Sequence, residues 1–122
     1  MRVTIYTDGG ADPNPGVGGW AAILQANGRR RELTGTEPHT TNNRMELTAA
    51  VEALKALKRP SQVDFYTDSQ YLQQGISEWI GRWRAKGWRR GRKPVANADL
   101  WQELDRLAGQ HEIEWHWVRG HT

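Results

Sequence analysis

Two aspartates occupy matching positions at the ends of two strand-like segments. The tripeptide Tyr6-Thr7-Asp8 closes the first segment, and Tyr66-Thr67-Asp68 closes a later one. If these strands are parallel neighbours, their carboxyl ends lie side by side and the two side chains face each other at about 4.8 Å, the spacing of adjacent strands. We therefore expect Asp8 and Asp68 to form a site at this edge of the sheet.

Glu46 is a third carboxylate for the same site. It lies one residue before the apolar stripe that begins at Leu47, in the first turn of a predicted helix, and it can lean toward the sheet edge. Three carboxylates about 4 Å apart repel one another by about 4 kcal/mol per pair at an effective dielectric constant of about 20, so a cation or protonation must offset the repulsion. The chain has no cysteine, which favours oxygen ligands and Mg²⁺ or Mn²⁺, and makes two-metal phosphodiester chemistry available.

Each carboxylate also has an ordinary structural interpretation. Asp68 can cap a helix, Asp8 can form a turn before Gly9, and Glu46 can complete a capping box that begins at Asn43. We favour the catalytic interpretation because the repeated tripeptide occurs in the same chain as a basic segment rich in tryptophan.

Positive charge is concentrated in that basic segment. Seven Lys and Arg residues lie between Arg82 and Lys93 without an acidic residue among them, although the net charge of the whole chain is only +3. Trp79, Trp83 and Trp88 lie in or beside this segment. Such a surface is typical of proteins that bind a phosphate backbone. The alternative is that the tryptophans are buried against one another while the charges are merely solvated.

The order of the predicted elements indicates a mixed α/β fold with one central sheet. Alternation predicts strands over 2–6, 20–25, 30–35, 63–67 and 113–118. Helical spacing predicts helices over 44–58, 69–83 and 99–108, the second of them weakened at Gly75 and Gly81. Asn27-Gly28 predicts a tight hairpin between the second and third strands. We expect Asp8-Gly9-Gly10 to end the first strand, and we expect a polar loop over 87–95.

Length and hydropathy set the broad class of the protein. With 122 residues, the chain is expected to form a single domain over 1–122, with a basic protrusion at about 79–95. No stretch approaches the roughly 18 consecutive apolar residues of a membrane span, and the N-terminus does not read as a signal sequence. We expect a soluble, cytoplasmic protein.

Five motifs together resemble bacterial type 1 ribonuclease H. They are Tyr6 to Gly10, Asn14-Pro15-Gly16, Thr40 to Leu47, Thr67 to Tyr71 and Trp117 to His121. The resemblance implies an endonuclease that uses Mg²⁺ or Mn²⁺ to cut the RNA strand of RNA/DNA hybrids, leaving 5′-phosphate and 3′-hydroxyl ends. It also implies a ribonuclease H-like fold, a five-stranded mixed sheet of order 3-2-1-4-5 flanked by helices.

The resemblance assigns catalytic roles to four residues. Asp8, Glu46 and Asp68 match the family's metal-binding carboxylates, with one ion activating water and the other stabilising the leaving 3′ oxygen. His121 matches a histidine that helps proton transfer or product release, and its alternative is a surface position without function. His39, His111 and His116 match no such role and are more often structural.

The resemblance also assigns substrate contacts. Asn14, Asn42 and Gln70 match residues that approach the RNA backbone and its 2′-hydroxyls, and Thr41 matches a contact to DNA phosphate. Their structural alternatives are turn formation for Asn14, helix capping for Asn42, solvent exposure for Gln70 and a polar role at the helix start for Thr41. The basic protrusion matches a handle for the DNA strand, with these substrate-binding residues: Trp79, Trp83, Trp88, Arg89, Arg90, Arg92 and Lys93.

The sequence departs from the family pattern at its end. The family continues into a loop, a fourth aspartate and a C-terminal helix, whereas this sequence stops at Thr122. A metal site without its fourth carboxylate predicts reduced or lost activity, so an impaired hybrid-binding module is the alternative function. We expect a monomer whose uncovered sheet face can be complemented by a partner or can associate. A third hypothesis is a related phosphoryl-transfer enzyme of the same fold that acts on DNA.

Overall fold

The structure is a computed structural model, and it describes residues 2–119. The elements in chain order are β1 (Arg2–Ala11), β2 (Gly16–Ala26), β3 (Arg29–Thr40), α1 (Asn42–Lys55), β4 (Gln62–Thr67), α2 (Gln70–Gln74), a π-helical turn (Gly75–Trp79), α3 (Ile80–Ala85), β5 (Arg89–Arg90), β6 (Lys93–Pro94), α4 (Ala98–Ala108) and β7 (Glu112–Trp117). The catalytic prediction for His121 lies outside the described residues. Within residues 2–119, no helix is both long enough and apolar enough to cross a membrane.

Five of the strands form one mixed sheet with the spatial order β3-β2-β1-β4-β7. The pairs β1/β2 and β2/β3 are antiparallel, whereas β1/β4 and β4/β7 are parallel. This confirms the predicted fold class and strand order, with β7 as the fifth strand of the sheet.

The hydrophobic core lies between the sheet and helices α1 and α4. Inward residues of the sheet such as Ile5 and Phe65 are fully buried, and so are Leu54 of α1 and Trp101 and Leu104 of α4. The apolar spacing that predicted the first helix therefore marks the face of α1 that packs on the sheet. This packing fixes the start of α1, and with it Glu46, relative to the strands.

The first strand does not end where the sequence suggested. β1 continues to Ala11 because Gly9, Gly10 and Ala11 pair with the opposing residues of β2. The turn at Asn27-Gly28 forms as predicted, since both residues have positive φ angles, 53° and 76°, as a tight hairpin turn requires. β2 supplies the backbone partners of Gly9, Gly10 and Ala11, and the local sequence of β1 could not indicate this pairing.

The segment over 69–95 differs from the prediction in two places. The helix is interrupted by the π-helical turn at Gly75, where the ring of Trp101 packs so closely that a Cβ at this position would overlap the indole. The expected polar loop over 87–95 was wrong in part, because β5 and β6 form a short hairpin there. A hydrogen bond of 3.1 Å from Val95 N–H to the Trp88 carbonyl closes the base of this hairpin.

Candidate active site

Parallel pairing places Asp8 and Asp68 at equivalent positions. Tyr6 pairs with Tyr66 as the last pair of the β1/β4 ladder, and each aspartate follows two residues later. Asp68 lies just beyond the end of β4, whereas Asp8 remains within β1 and pairs with Ala21 of β2. The two side chains therefore meet where the parallel pairing ends, as the repeated tripeptide predicted.

A close approach of two backbones brings Glu46 to the same place. At Gly9 a Cβ would lie 2.5 Å from the carbonyl carbon of Met45 and 2.8 Å from the nitrogen of Glu46, so only glycine lets β1 lie this close to α1. The Gly9 N–H then donates to Glu46 Oε1 at 3.0 Å and to Asp8 Oδ1 at 2.9 Å. One backbone donor thus holds two of the three carboxylates together.

The three carboxylates form a compact cluster. Asp8, Glu46 and Asp68 each offer an oxygen, and these oxygens all lie within 4.8 Å of one another. Glu46 and Asp68 are half-buried, whereas Asp8 is exposed to solvent. Glu46 Oε2 is buried and has no hydrogen-bond partner within the described part of the chain. A buried acceptor without a partner is energetically costly, so the cluster is a suitable binding site for a cation.

The crowding changes the ionisation of Glu46. Burial raises the pKa of its carboxyl group from 4.5 to about 7, and the neighbouring charges of Asp68 and Asp8 act in the same direction. The Gly9 N–H opposes this shift by donating to the carboxylate. Without a bound cation, Glu46 is therefore partly protonated near neutral pH, which is how the site reduces its own repulsion.

The structural alternatives for the carboxylates do not fit the geometry. Ser69, not Asp68, caps α2, since its hydroxyl accepts from Leu72 N–H at 3.1 Å. Thr41 caps α1 by accepting from Arg44 N–H at 3.1 Å, which leaves Glu46 outside any capping box. Asp8 lies in a strand, not in a turn. The three acids thus have no capping or turn-forming role.

The donor set fits Mg²⁺ or Mn²⁺. Both ions prefer hard oxygen ligands, and Mg²⁺ is usually bound through a few carboxylates with the remaining positions left to water and substrate phosphate. The cluster offers carboxylates from β1, α1 and the end of β4, and Glu46 Oε2 has no hydrogen-bond partner among the described residues.

Comparison with known proteins identifies the family. The sequence model of the RNase H family matches residues 1–122, the whole chain. The chain belongs to the RNase H family. It is 63% identical to "Ribonuclease H" of Cupriavidus necator over 123 residues, which cover 100% of this chain and 85% of that protein. It is 60% identical to "Ribonuclease H" of Legionella pneumophila, covering 100% of this chain and 86% of that protein.

A solved structure gives the same result for the fold. The structure of LC9-RNase H1 is similar with a TM-score of 0.84 and 34% sequence identity, covering 98% of this chain and 64% of that chain. Membership of the RNase H family confirms the resemblance drawn from the motifs and the enzyme class that it implies.

Asn14 and Asn42, two of the residues matched to RNA contacts, each use the side-chain oxygen to accept from a backbone N–H, at the start of α1 and at the end of β1 respectively. Asn14 Oδ1 accepts from Asn42 N–H at 3.1 Å, and Asn42 Oδ1 accepts from Ala11 N–H at 2.6 Å. Their side-chain oxygens are engaged within the protein, so what each exposed amide offers a ligand is its NH₂ donors. Capping of α1 by Asn42 was one alternative, but Thr41 is the cap residue.

Thr41 precedes Glu46 by five residues in the chain, and Gln70 follows Asp68 by two. The Thr41 hydroxyl accepts from Arg44 N–H as the cap of α1, which leaves its O–H free to donate. Gln70 is exposed at the first position of α2 and shares a cleft of about 440 Å³ with Asp68 and Arg119. The cleft therefore places the amide of Gln70 and the guanidinium of Arg119 in the same space as the carboxylate of Asp68.

The basic protrusion has an aromatic base and an exposed charged tip. Trp79, Trp83 and Trp88 are partly buried against the core, with ring centroids 5.5 Å apart between Trp79 and Trp83 and 6.3 Å apart between Trp83 and Trp88. The structural alternative for these rings is thus correct in part. The four exposed cations of the tip lie on or between β5 and β6: Arg89, Arg90, Arg92 and Lys93.

Sequence reasoning missed a second acidic group. Asp64, Glu114 and His116 lie close together on neighbouring strands β4 and β7, and alternation along those strands was the signal that could have found them. A hydrogen bond from His116 and an ion pair of 2.8 Å with Arg2 lower the pKa of Asp64, so this carboxylate already has partners. His111 is also structural, since its Nδ1 accepts from Ser61 N–H at 3.0 Å.

Proposed function

We propose that this chain hydrolyses the RNA strand of RNA/DNA hybrids by metal-ion catalysis at Asp8, Glu46 and Asp68. The observation that carries the proposal is the carboxylate cluster itself: three acids within 4.8 Å, one with a buried, unpartnered oxygen among the described residues, in a chain that belongs to the RNase H family. Bound Mg²⁺ or Mn²⁺, as a pair of ions, would supply activation of the attacking water and stabilisation of the leaving 3′ oxygen.

The protein's own contribution is to hold the acids and orient the substrate. Gly9 N–H keeps Asp8 and Glu46 together, so the ligands do not have to reorganise when a cation and a phosphate arrive. The amides of Asn14, Asn42 and Gln70 would donate to the RNA backbone and its 2′-hydroxyls, the groups that distinguish RNA from DNA. The proposed role of His121 in proton transfer or product release stays a prediction.

The basic protrusion would hold the DNA strand. Its four exposed cations would replace the counterions of DNA phosphates, and the faces of the tryptophans would pack against sugars. The hydroxyl of Thr41 would donate to another DNA phosphate. We also propose that residues 1–122 form one domain that acts as a monomer. Two further points stay predictions: association through the sheet face and the cytoplasmic location.

The test is a cleavage assay with matched substrates. Labelled RNA/DNA hybrid, double-stranded DNA and double-stranded RNA are each incubated with Mg²⁺, Mn²⁺ or EDTA. Cutting that is confined to the RNA strand of the hybrid and that requires the metal supports the proposal. Salt-sensitive hybrid binding without cutting would instead indicate the impaired binding module, and cutting of double-stranded DNA would indicate a related phosphoryl-transfer enzyme.

Two variants test whether cutting depends on the carboxylate cluster or on the loss of any carboxylate. Asp8→Asn should abolish cutting and leave hybrid affinity within about fivefold, because it removes a metal ligand and little of the phosphate-binding surface. Glu114→Gln makes the same charge change in the second acidic group and should leave cutting unchanged. Equal loss of cutting in both variants would contradict the assignment of the site.

A further inference from the structure

Arg119 is a cation beside the carboxylate cluster. The N–H of Val118 donates to the Thr67 carbonyl at 3.0 Å, so the pairing of β7 with β4 continues as far as the residue before Arg119. Arg119 lines two clefts, of about 440 Å³ and about 250 Å³, and Asp68 lines both of them. The exposed side chain of Arg119 therefore lies next to a carboxylate of the metal site.

The guanidinium of Arg119 has donors to offer a ligand. Within residues 2–119, no carboxylate forms an ion pair with it. Arg44 differs, because it donates to both oxygens of Asp99 at 3.2 and 2.8 Å. A guanidinium carries five N–H donors, and its planar fork matches the oxygens of a phosphate. Arg119 can thus bind a phosphate without first breaking an ion pair in this part of the chain.

Two amide side chains line the larger cleft together with Arg119. Gln70 and Gln73 are exposed and lie three residues apart in α2, a spacing that places both on one face of the helix. Both share the cleft with Arg119 and Asp68. Amide NH₂ groups donate to phosphate and sugar oxygens, so the cleft combines three donor side chains with one carboxylate of the cluster.

This cleft and the two asparagines lie on opposite sides of the cluster. In the sheet order β3-β2-β1-β4-β7, Asn14 lies between β1 and β2 and Asn42 bonds to the end of β1, whereas Arg119 follows β7. Neighbouring strands are about 4.8 Å apart, so β1 and β7 are separated by about 10 Å. An RNA strand that contacts the asparagines and places a phosphate at the cluster would continue across the sheet edge toward Arg119.

We propose that Arg119 and Gln73 form a subsite for a phosphate of the RNA strand, within two nucleotides of the scissile phosphate and on the β7 side of the cluster. The proposal rests on the proposed function, because it concerns the same substrate. Three carboxylates repel a phosphate backbone, and a cation at this position offsets part of that repulsion. The subsite contacts no reacting atom, so it strengthens hybrid binding and leaves the chemical step unchanged.

The first test is a split of kinetic constants. Arg119→Ala should raise the KM for a hybrid roughly threefold to tenfold and leave kcat within about twofold. Arg59→Ala is the matched control, since Arg59 is exposed and precedes β4, at the opposite end of that strand from Asp68, and it should change neither constant. An unchanged KM in Arg119→Ala, or an equal rise in Arg59→Ala, would overturn the proposal.

A second variant at the same position tests the charge. Arg119→Lys keeps the positive charge and should recover part or all of the affinity lost in Arg119→Ala. Gln73→Ala should raise the KM by less than Arg119→Ala does, because it removes a neutral donor. A lysine variant as weak as the alanine variant would show that the charge of Arg119 does not bind phosphate.

The next test locates the phosphate. Single methylphosphonates, each of which removes the charge of one phosphate, are placed in turn within two nucleotides of a single cutting site in the RNA strand, with the 2′-hydroxyl before each one methylated, and at the facing DNA phosphates. The wild-type chain should lose affinity at one RNA phosphate where Arg119→Ala loses nothing further. Equal sensitivity of the two chains at every RNA phosphate, or a difference only at a DNA phosphate, would overturn the proposal.

A binding measurement separates this proposal from the nuclease assignment. If the parent chain does not cut hybrids, the nuclease assignment has failed, and hybrid dissociation constants are measured in EDTA over a range of salt concentrations. Arg119→Ala should then bind more weakly and flatten the salt dependence by about one unit of slope, whereas Arg59→Ala should not. That result supports the subsite without any cutting, and an unchanged slope in Arg119→Ala overturns it.

Discussion

Replacement of Glu46 by Gln should stabilise the metal-free protein at alkaline pH. Burial raises the pKa of Glu46 from 4.5 to about 7, so the folded state resists ionisation of this group. At about 1.36 kcal/mol per pKa unit, the full shift corresponds to about 3 kcal/mol of lost stability once the group is ionised in both states. Because the side chain is only partly buried, solvent screening reduces the expected stabilisation of the Glu46→Gln variant to about 1 to 2 kcal/mol.

The sign of the pH dependence follows from the raised pKa. Below pH 4.5, Glu46 is protonated in the folded and the unfolded states, and it costs nothing. As the pH rises from 4.5 to about 7, the unfolded state ionises first, so the wild-type protein loses stability over this window. Gln cannot ionise, and its Oε1 can still accept from Gly9 N–H, so the variant should not show this loss.

Urea unfolding in EDTA between pH 5 and 8 measures the effect. The free energy of unfolding of Glu46→Gln should exceed that of wild type at pH 8, and the difference should shrink toward pH 5. Glu52→Gln, which neutralises a carboxylate farther along α1, is the control and should show no such trend. A variant no more stable than wild type at pH 8, or a gain that is the same at pH 5, would refute the reasoning.

Three further predictions test the metal, the basic tip and the backbone contact. Metal binding at pH 7 should release protons, because the protonated fraction of Glu46 must ionise, and the metal affinity should fall below pH 7. Calorimetry in buffers of different ionisation enthalpy measures both the proton release and the affinity. Alanine at the four tip cations should flatten the salt dependence of hybrid affinity by roughly one unit of slope for each DNA phosphate that the tip no longer neutralises, and an unchanged slope would show that the tip does not touch phosphate. Gly9→Ala should abolish cutting and lower the stability by roughly 1–3 kcal/mol, because its Cβ would lie 2.5 Å from the Met45 backbone. Gly10→Ala is the control and should be tolerated, because its Cβ would lie 3.5 Å from its nearest neighbour. Equal effects of the two substitutions would count against the close approach of β1 and α1 at Gly9.

Much of the site was predictable because it depends on strand register. The repeat of Tyr-Thr-Asp places equivalent residues at the ends of two strands, and parallel pairing needs no further information to bring Asp8 and Asp68 together. Helical spacing then placed Glu46 at the border of the buried face of α1. These inferences succeed because periodicity and topology decide them, without detailed packing.

The parts that were missed depend on contacts between distant segments. β1 extends past Gly9 because β2 supplies backbone partners, and the ring of Trp101 packs directly against Gly75, where the π-helical turn begins. Neither partner is near in the sequence. The raised pKa of Glu46 likewise arises from tertiary packing, so no local pattern indicates it.

The internal hydrogen bonds also explain why the surroundings of the cluster suit a nucleic-acid backbone. Around three acids that can accept a cation, the side chains of Asn14, Thr41 and Asn42 have already used acceptor oxygens inside the protein. What remains exposed on them is donor N–H and O–H, and phosphate and ribose groups are rich in acceptor oxygens. The chain thus presents hydrogen-bond donors around a negatively charged centre. A simple anion would be repelled by the three carboxylates, whereas a phosphate backbone that binds together with cations is accommodated.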